Sequence, residues 1–263
     1  MKRTSSILGA VILSALMICA FGAMNASALT LHECKEVIKQ GTGTIYKDPK
    51  CSEQDLEGKF ETVPIPVNTP IELENTLTPT TAGMNVTAGE IAGTHIVLHF
   101  VAGGISVIIT CTGATGTGKG QNELSGEVMK ASGTGHAQYT GCKITGSAKA
   151  AETCKVPETL ETVELSLTTE GDKVVIKPAS GTTFITIPFT DIAGKTCPAA
   201  IKGEKTVTGV ARGSVASPTA IEFTSESGNE LSLGGLSAQL TVVTHMRTKG
   251  TTGETGTVAL ETP

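Results

Sequence analysis

Residues Thr94 to Thr112, THIVLHFVAGGISVIITCT, are the most apolar stretch of the chain after its first 28 residues. Two β-branched runs, His95 to Val101 and Ile105 to Thr112, flank Ala102-Gly103-Gly104. A Gly-Gly pair supplies the positive φ angles that a tight hairpin turn requires, so the stretch predicts a buried hairpin at the centre of a sheet. A transmembrane helix is the alternative. However, about 17 residues interrupted by two glycines and His99 are too few and too β-branched to span a bilayer.

Short β patterns recur through the second half of the chain. Apolar and polar side chains alternate from Val163 to Thr168, from Ile185 to Phe189 and from Leu236 to Val242. Period-two alternation is typical of strands with one buried and one wet face. Turn residues separate these runs, and helical periodicity is hard to find. We therefore expect an all-β fold, either an antiparallel β-sandwich or a partly closed β-barrel.

The middle of the chain is rich in Gly-Thr-Gly. We expect turns at Gly113 to Gly120 and Gly133 to Gly135, and strands at Glu123 to Lys130 and His136 to Thr145. The first of these glycine stretches, GATGTGKG, is one residue short of a phosphate-binding loop. It lacks a hydroxyl at Gly120 to hold magnesium, and no helix pattern follows it, so a β-turn is the better interpretation.

The first 28 residues have the pattern of a secretory signal. Met1 to Ser6 is basic, Ile7 to Met24 is apolar and uncharged, and Ala26-Ser27-Ala28 is a small-x-small cleavage motif. We expect cleavage after Ala28. Cys19 suggests a lipoprotein as the alternative, but Ile18 stands where a lipoprotein signal has a small residue.

Two further segments are expected after the signal. Residues 29–63 predict a small module clipped by a disulfide, in which Ser52 to Asp55 would cap one turn of helix that Gly58 ends. Residues 64–263 predict the sandwich or barrel domain, either as one unit or as two parts that meet near residues 150–158. Pro64 to Pro70 is an edge strand or a linker because proline donates no backbone hydrogen bond, and Thr78 to Gly83 is loop-like.

Six cysteines remain once Cys19 leaves with the signal. An even number in an exported chain indicates disulfides, although sequence leaves several connectivities open. We favour neighbouring pairs, and we disfavour a zinc site because no Cys-x-x-Cys occurs. The favoured pairs are Cys34 with Cys51, Cys111 with Cys142, and Cys154 with Cys197.

The charge and the aromatic content exclude several partners. Loss of Lys2 and Arg3 with the signal takes the formal net charge from -5 to -7. An acidic chain has no basic patch for nucleic acid or for anionic membrane surfaces. Aromatic residues make up 3% of the chain and Trp is absent. Stacking on sugars or single-stranded bases is therefore disfavoured.

We assign no catalytic, cofactor-binding or metal-binding residue. His95 and His99 share one strand face but lie roughly 13 Å apart, too far to hold one ion. Glu158, Glu161 and Glu164 are most simply a solvated acidic face, and no Gly-x-Ser-x-Gly elbow occurs. The sequence also contains a glycosylation sequon, which begins at Asn85 and matters only in a host that glycosylates exported proteins.

The chain resembles a loose group of exported, Cys-containing, Gly/Thr-rich β proteins of soil actinobacteria, to which no activity is assigned. The resemblance implies an exported, disulfide-clipped β protein. The residues that carry it are Cys34-Lys-Glu-Val37, Gly41-Thr-Gly43, Tyr46, Cys51, Thr140-Gly-Cys142, Leu233-Gly-Gly235, Ala238 and Leu240.

We expect a non-enzymatic structural or binding protein that is secreted and acts at the cell envelope or in the extracellular space. A cell-wall polymer or another envelope protein is the expected partner, with no cofactor, no nucleic acid and no transmembrane helix in the mature chain. One alternative is an extracellular polysaccharide hydrolase that uses paired carboxylates. Another is a β-rich pore or oligomer-forming surface protein built on the hairpin of Thr94 to Thr112.

Overall fold

The computed structural model describes residues 28–37, 45–49, 51, 53–78, 96–217, 220–224, 230–249 and 255–261. These residues form nineteen strands and one short helix, so the prediction of an all-β fold is confirmed. The strands are β1 (Thr30–Glu36), β2 (Ile45–Tyr46), β3 (Phe60–Pro64), β4 (Ile71–Thr78), β5 (Ile96–Ala102), β6 (Ile105–Cys111), β7 (Gly113–Ser125), β8 (Val128–Thr140), β9 (Lys143–Gly146), β10 (Cys154–Lys155), β11 (Thr159–Glu161), β12 (Leu165–Glu170), β13 (Lys173–Pro178), β14 (Thr183–Asp191), β15 (Gly203–Ser217), β16 (Ala220–Phe223), β17 (Glu230–Leu233), β18 (Leu236–Lys249) and β19 (Thr255–Glu261), and the helix is α1 (Ala148–Thr153).

Eight of the strands close a hydrogen-bonded ring in which all neighbours are antiparallel. The order around the ring is β4-β7-β8-β12-β13-β15-β16-β18, and β18 pairs back onto β4. Closure leaves no strand of the ring with a free edge. It also creates an enclosed interior, whose content depends on the side chains that face inward.

A second sheet grows from the two longest strands of the ring. The first halves of β15 and β18 lie outside the ring pairing, and they join the order β9-β6-β5-β18-β17-β15-β14. The short strand β10 adds to the outer edge of β14. Because β15 and β18 belong to both the ring and the second sheet, one continuous cluster of apolar residues lies between them.

The hairpin predicted from the apolar stretch is confirmed. β5 pairs with β6 from Ile96 opposite Cys111 to Ala102 opposite Ile105. Gly103 and Gly104 form the turn with φ angles of 56° and 77°. Neither strand is at an edge, because β18 flanks β5 and β9 flanks β6.

The N-terminal segment is attached to the rest of the sheet by its first strand. β1 pairs with β3 on one side and with the last strand, β19, on the other. The helical turn expected between Ser52 and Gly58 is wrong in its described part, since no helix forms there and Gln54 makes a β-bridge with Tyr46. Pro64 ends β3, and residues 65–70 form a linker between β3 and β4 in which Val67 makes a single bridge to Asn122. The loop expected at Thr78 to Gly83 lies outside the described residues after Thr78, which ends β4.

The predictions for residues 113–145 are largely wrong. Both glycine stretches expected to be turns lie inside strands, in β7 and β8, which pair along all thirteen residues of each. The turn between them falls at Gly126, within the expected strand of residues 123–130. The expected strand of residues 136–145 breaks at Gly141 into β8 and β9. Glycine here alternates with exposed threonine, which is strand patterning with hydrogen in place of an inward side chain.

Candidate ligand cavity

An apolar cavity of about 190 Å³ lies inside the core, between the ring and the second sheet. All eight ring strands contribute to its wall, together with β11 and with β5, β6, β14 and β17. The second sheet therefore covers the interior of the ring on one side. The site is a product of long-range strand pairing, and no continuous segment of the chain contains it.

The cavity lies where the middle of the inward face of β7 and β8 carries only hydrogens and methyl groups. Gly116 lies opposite Ala137, and Gly118 lies opposite Gly135. All four residues line the cavity. The interior of a small closed ring is ordinarily filled by inward side chains, so a wall of hydrogens and methyl groups leaves a void.

Close backbone approach explains why Gly118 and Gly135 are glycine. A Cβ atom added to Gly135 would lie 2.5 Å from the carbonyl oxygen of Thr117, far inside van der Waals contact. The neighbouring outward positions Thr117 and Thr134 are exposed. The missing inward side chains are therefore a requirement of how β7 and β8 pack together.

The rest of the wall is aliphatic and aromatic. Leu167 of β12 pairs with Ile176 of β13, and a row of three side chains crosses the second sheet from Leu240 through Leu98 to Ile109. All five residues line the cavity. An apolar lining of this kind makes a charged ligand costly to bury, whereas a neutral one loses little hydration.

Besides Tyr139, two charged or titratable residues border the cavity, and both occupy outward positions of the ring. Lys119 and His136 have exposed side chains on the opposite face from the glycines. His136 Nε2 lies 3.3 Å from Thr117 Oγ1 on that outer face. Neither residue places an ionised group inside the wall.

Two hydroxyl side chains occur on the inner side of the wall. Thr162 Oγ1 accepts a hydrogen bond from the backbone N–H of Ala137 at 2.9 Å. Tyr139 lies on the inward face of β8, across from Ala114 and Leu160. Burial raises the pKa of Tyr139 to about 12. The phenol therefore keeps its proton at neutral pH.

The residues considered as site candidates from the sequence lie elsewhere. His99 Nε2 is 3.1 Å from Ser106 Oγ on the central hairpin, and burial lowers the pKa of His99. His95 and Asn85 lie outside the described residues. Glu158, Glu161 and Glu164 are all exposed. No group of three or more metal-ligating side chains converges within the described ranges.

Three disulfides join the neighbouring pairs favoured from the sequence. Cys34–Cys51 ties β1 to the segment after β2, and Cys111–Cys142 ties the end of β6 to the start of β9. Cys111 also lines the cavity. Three disulfides in one chain indicate an oxidising, extracellular type of environment.

The third disulfide, Cys154–Cys197, lies beside an ion pair. Asp191 accepts a hydrogen bond from the backbone N–H of Cys197 at 2.9 Å and forms an ion pair with Lys202 at 2.5 Å. The Lys202 hydrogen bond, followed by that of Cys197, lowers the pKa of Asp191. These contacts fix the loop that follows β14.

Sequence reasoning missed the cavity altogether. Its one visible signal is the alternation of glycine with threonine through Gly116, Thr117 and Gly118, and again through Gly133, Thr134 and Gly135. Read with a period of two, this pattern predicts strands with an empty inner face. The side chains on the opposite side of the cavity come from strands that are distant in sequence. Their positions around the cavity therefore produce no pattern in any local stretch of sequence.

None of the helices in the described ranges is long and apolar enough to cross a bilayer. The chain matches no protein-family model, no curated protein and no solved structure.

Proposed function

We propose that the protein is a non-enzymatic exported binding protein that holds one small apolar molecule in the cavity between the ring and the second sheet. The observation that carries the proposal is the glycine-lined inner face of β7 and β8, which leaves an apolar void that the surrounding side chains do not fill. The three disulfides and the signal-like first 28 residues support export.

The size of the cavity sets the size of the ligand. Engineered apolar cavities of about 150 Å³ stay dry and bind benzene. A void of about 190 Å³ therefore suits a molecule of benzene size or slightly larger. A ligand that fills the cavity gains dispersion contacts with the apolar atoms that line it.

A cavity-filling variant tests the proposal. Ala137 faces the cavity, and its neighbour Gln138 is exposed on the outer face of the same strand. Ala137→Leu places an isobutyl group in the void, whereas Gln138→Leu adds the same side chain outside it. Toluene titrated into the oxidised protein is followed by methyl NMR shifts, since Leu, Ile and Val methyl groups line the wall.

We expect saturable shifts in the wild-type protein and in Gln138→Leu. In Ala137→Leu the affinity for toluene should fall at least tenfold, with the fold retained. Failure of toluene to bind the wild-type protein would exclude the proposal, and so would equal affinities in the two variants.

A further inference from the structure

Tyr139 differs from every other inward residue of the glycine-lined face. Its neighbours across β7 and β11 are Ala114 and Leu160, and the inward positions next along β8 are Ala137 and Gly135. The phenol ring is therefore the largest side chain on this wall, and it borders the cavity. It packs against the core but keeps some accessible area, as expected of a ring that faces a void.

No described residue forms a hydrogen bond with the Tyr139 hydroxyl. The other inner hydroxyl, on Thr162, accepts the Ala137 N–H and so is already engaged by the backbone. The hydroxyl is not among the fully buried polar atoms that lack a partner, so it remains accessible to a hydrogen-bonding group. A phenol is protonated at neutral pH, and burial raises the pKa of Tyr139 further, so the hydroxyl is available as a hydrogen-bond donor.

The required acceptor is neutral. A carboxylate or phosphate in this cavity would need a cation beside it, and Lys119, the lysine that borders the wall, is exposed on the outer face. A carbonyl, ether or hydroxyl oxygen accepts a hydrogen bond without a charge to bury. The remaining surface of the ligand must be apolar to match the leucine and isoleucine wall.

We infer that the cavity selects a compact neutral molecule with one oxygen acceptor, a small ketone, ester or alcohol with a hydrocarbon body, and that the Tyr139 hydroxyl donates to that oxygen. This inference rests on the proposed function, in which the cavity holds a small apolar ligand. Tyr139 thereby determines specificity, while the aliphatic wall supplies most of the affinity. Sites built around a polar group discriminate strongly, because the wrong ligand leaves that group unpaired.

Two probes of nearly the same shape separate the acceptor from the hydrocarbon body. Cyclohexanone and methylenecyclohexane differ only in C=O against C=CH₂, and both are close to the size of the cavity. Each is titrated by NMR into the wild-type protein and into Tyr139→Phe. The matched control is Tyr46→Phe, which alters the only other tyrosine, a buried residue of β2 that does not line the cavity.

We expect Tyr139→Phe to weaken cyclohexanone binding about tenfold and to change methylenecyclohexane binding less than twofold. Tyr46→Phe should change neither affinity. Methylenecyclohexane binding with no effect of Tyr139→Phe on the ketone would overturn the inference and leave the proposed function standing. Failure of both probes to bind the wild-type protein would overturn the two together.

A second measurement does not depend on the variant folding. In wild-type protein with ¹³C-labelled tyrosine, cyclohexanone should shift the Tyr139 Cζ resonance, and methylenecyclohexane should shift it much less. Equal shifts with the two probes would contradict donation by the hydroxyl.

Discussion

The side chain of Asn122 in β7 is buried and forms hydrogen bonds with backbone groups that would otherwise need a neighbouring strand. It has no solvent exposure. Its Oδ1 accepts from the backbone N–H of Leu31 at 2.7 Å, and its Nδ2 donates to the carbonyl oxygens of Leu31 at 2.9 Å and Ile65 at 2.8 Å. The carboxamide thus satisfies three backbone groups of β1 and the linker where they cross the ring. Complete satisfaction makes a buried polar group favourable.

Asn122→Ala should therefore destabilise the protein by about 3 kcal/mol, because it removes three buried hydrogen bonds to the backbone. The free energy of unfolding is measured with guanidinium chloride, and Gln121→Ala, on the opposite face of the same strand, serves as control. Asn122→Asp should cost at least as much at neutral pH, since a carboxylate cannot donate to the two carbonyl oxygens. A loss in Asn122→Ala no larger than in Gln121→Ala would refute this role.

Among the elements, the two long hairpins differ in how far the sequence predicted them. The β5–β6 hairpin was predictable because Gly103-Gly104 lies between two apolar β-branched runs, so residue type and turn chemistry agree. The β7–β8 hairpin was not predictable, because glycine occurs both in turns and at inward strand positions that have no room for a side chain. The short helix α1 also escaped prediction. Ser147 caps it by accepting from the backbone N–H of Ala150, but six residues carry too little periodicity to detect.

Two glycine variants distinguish these uses of glycine within one hairpin. Gly126, at the turn, has a φ angle of 68° and open space around it, so Gly126→Ala should cost only about 1 kcal/mol of backbone strain. Gly135→Ala should cost roughly 2 to 3 kcal/mol, because its Cβ meets the backbone of β7, which cannot move without opening the strand pair. Denaturant unfolding of both variants gives the comparison. A larger loss at Gly126 would mean that conformational freedom, not close approach, fixes glycine in this hairpin.

For the whole molecule, long-range pairing and local cross-links have separate roles. The first strand pairs with the last, and β4 pairs with β18, so the sheet joins parts of the chain that are far apart in sequence. The disulfides span only 17, 31 and 43 residues. The ring and the cavity could not be predicted from local pattern for this reason, whereas neighbouring cysteine pairs could. The disulfides stabilise segments, and strand pairing defines the site.

This separation predicts different effects when individual disulfides are removed. Loop-closure entropy predicts a loss of about 3 kcal/mol for Cys34→Ala with Cys51→Ala and about 4 kcal/mol for Cys154→Ala with Cys197→Ala, where the cross-linked loop is longer. Neither pair lines the cavity, so both double variants should bind toluene as the wild-type protein does.

Cys111→Ala with Cys142→Ala should weaken toluene binding as well as stability, because Cys111 belongs to the cavity wall. Parallel unfolding and NMR titrations of the three variants make the comparison. Loss of toluene binding in all three double variants would mean that the cavity depends on the rigidity of the whole protein. The conclusion that strand pairing defines the cavity while the disulfides only stabilise segments would then be wrong.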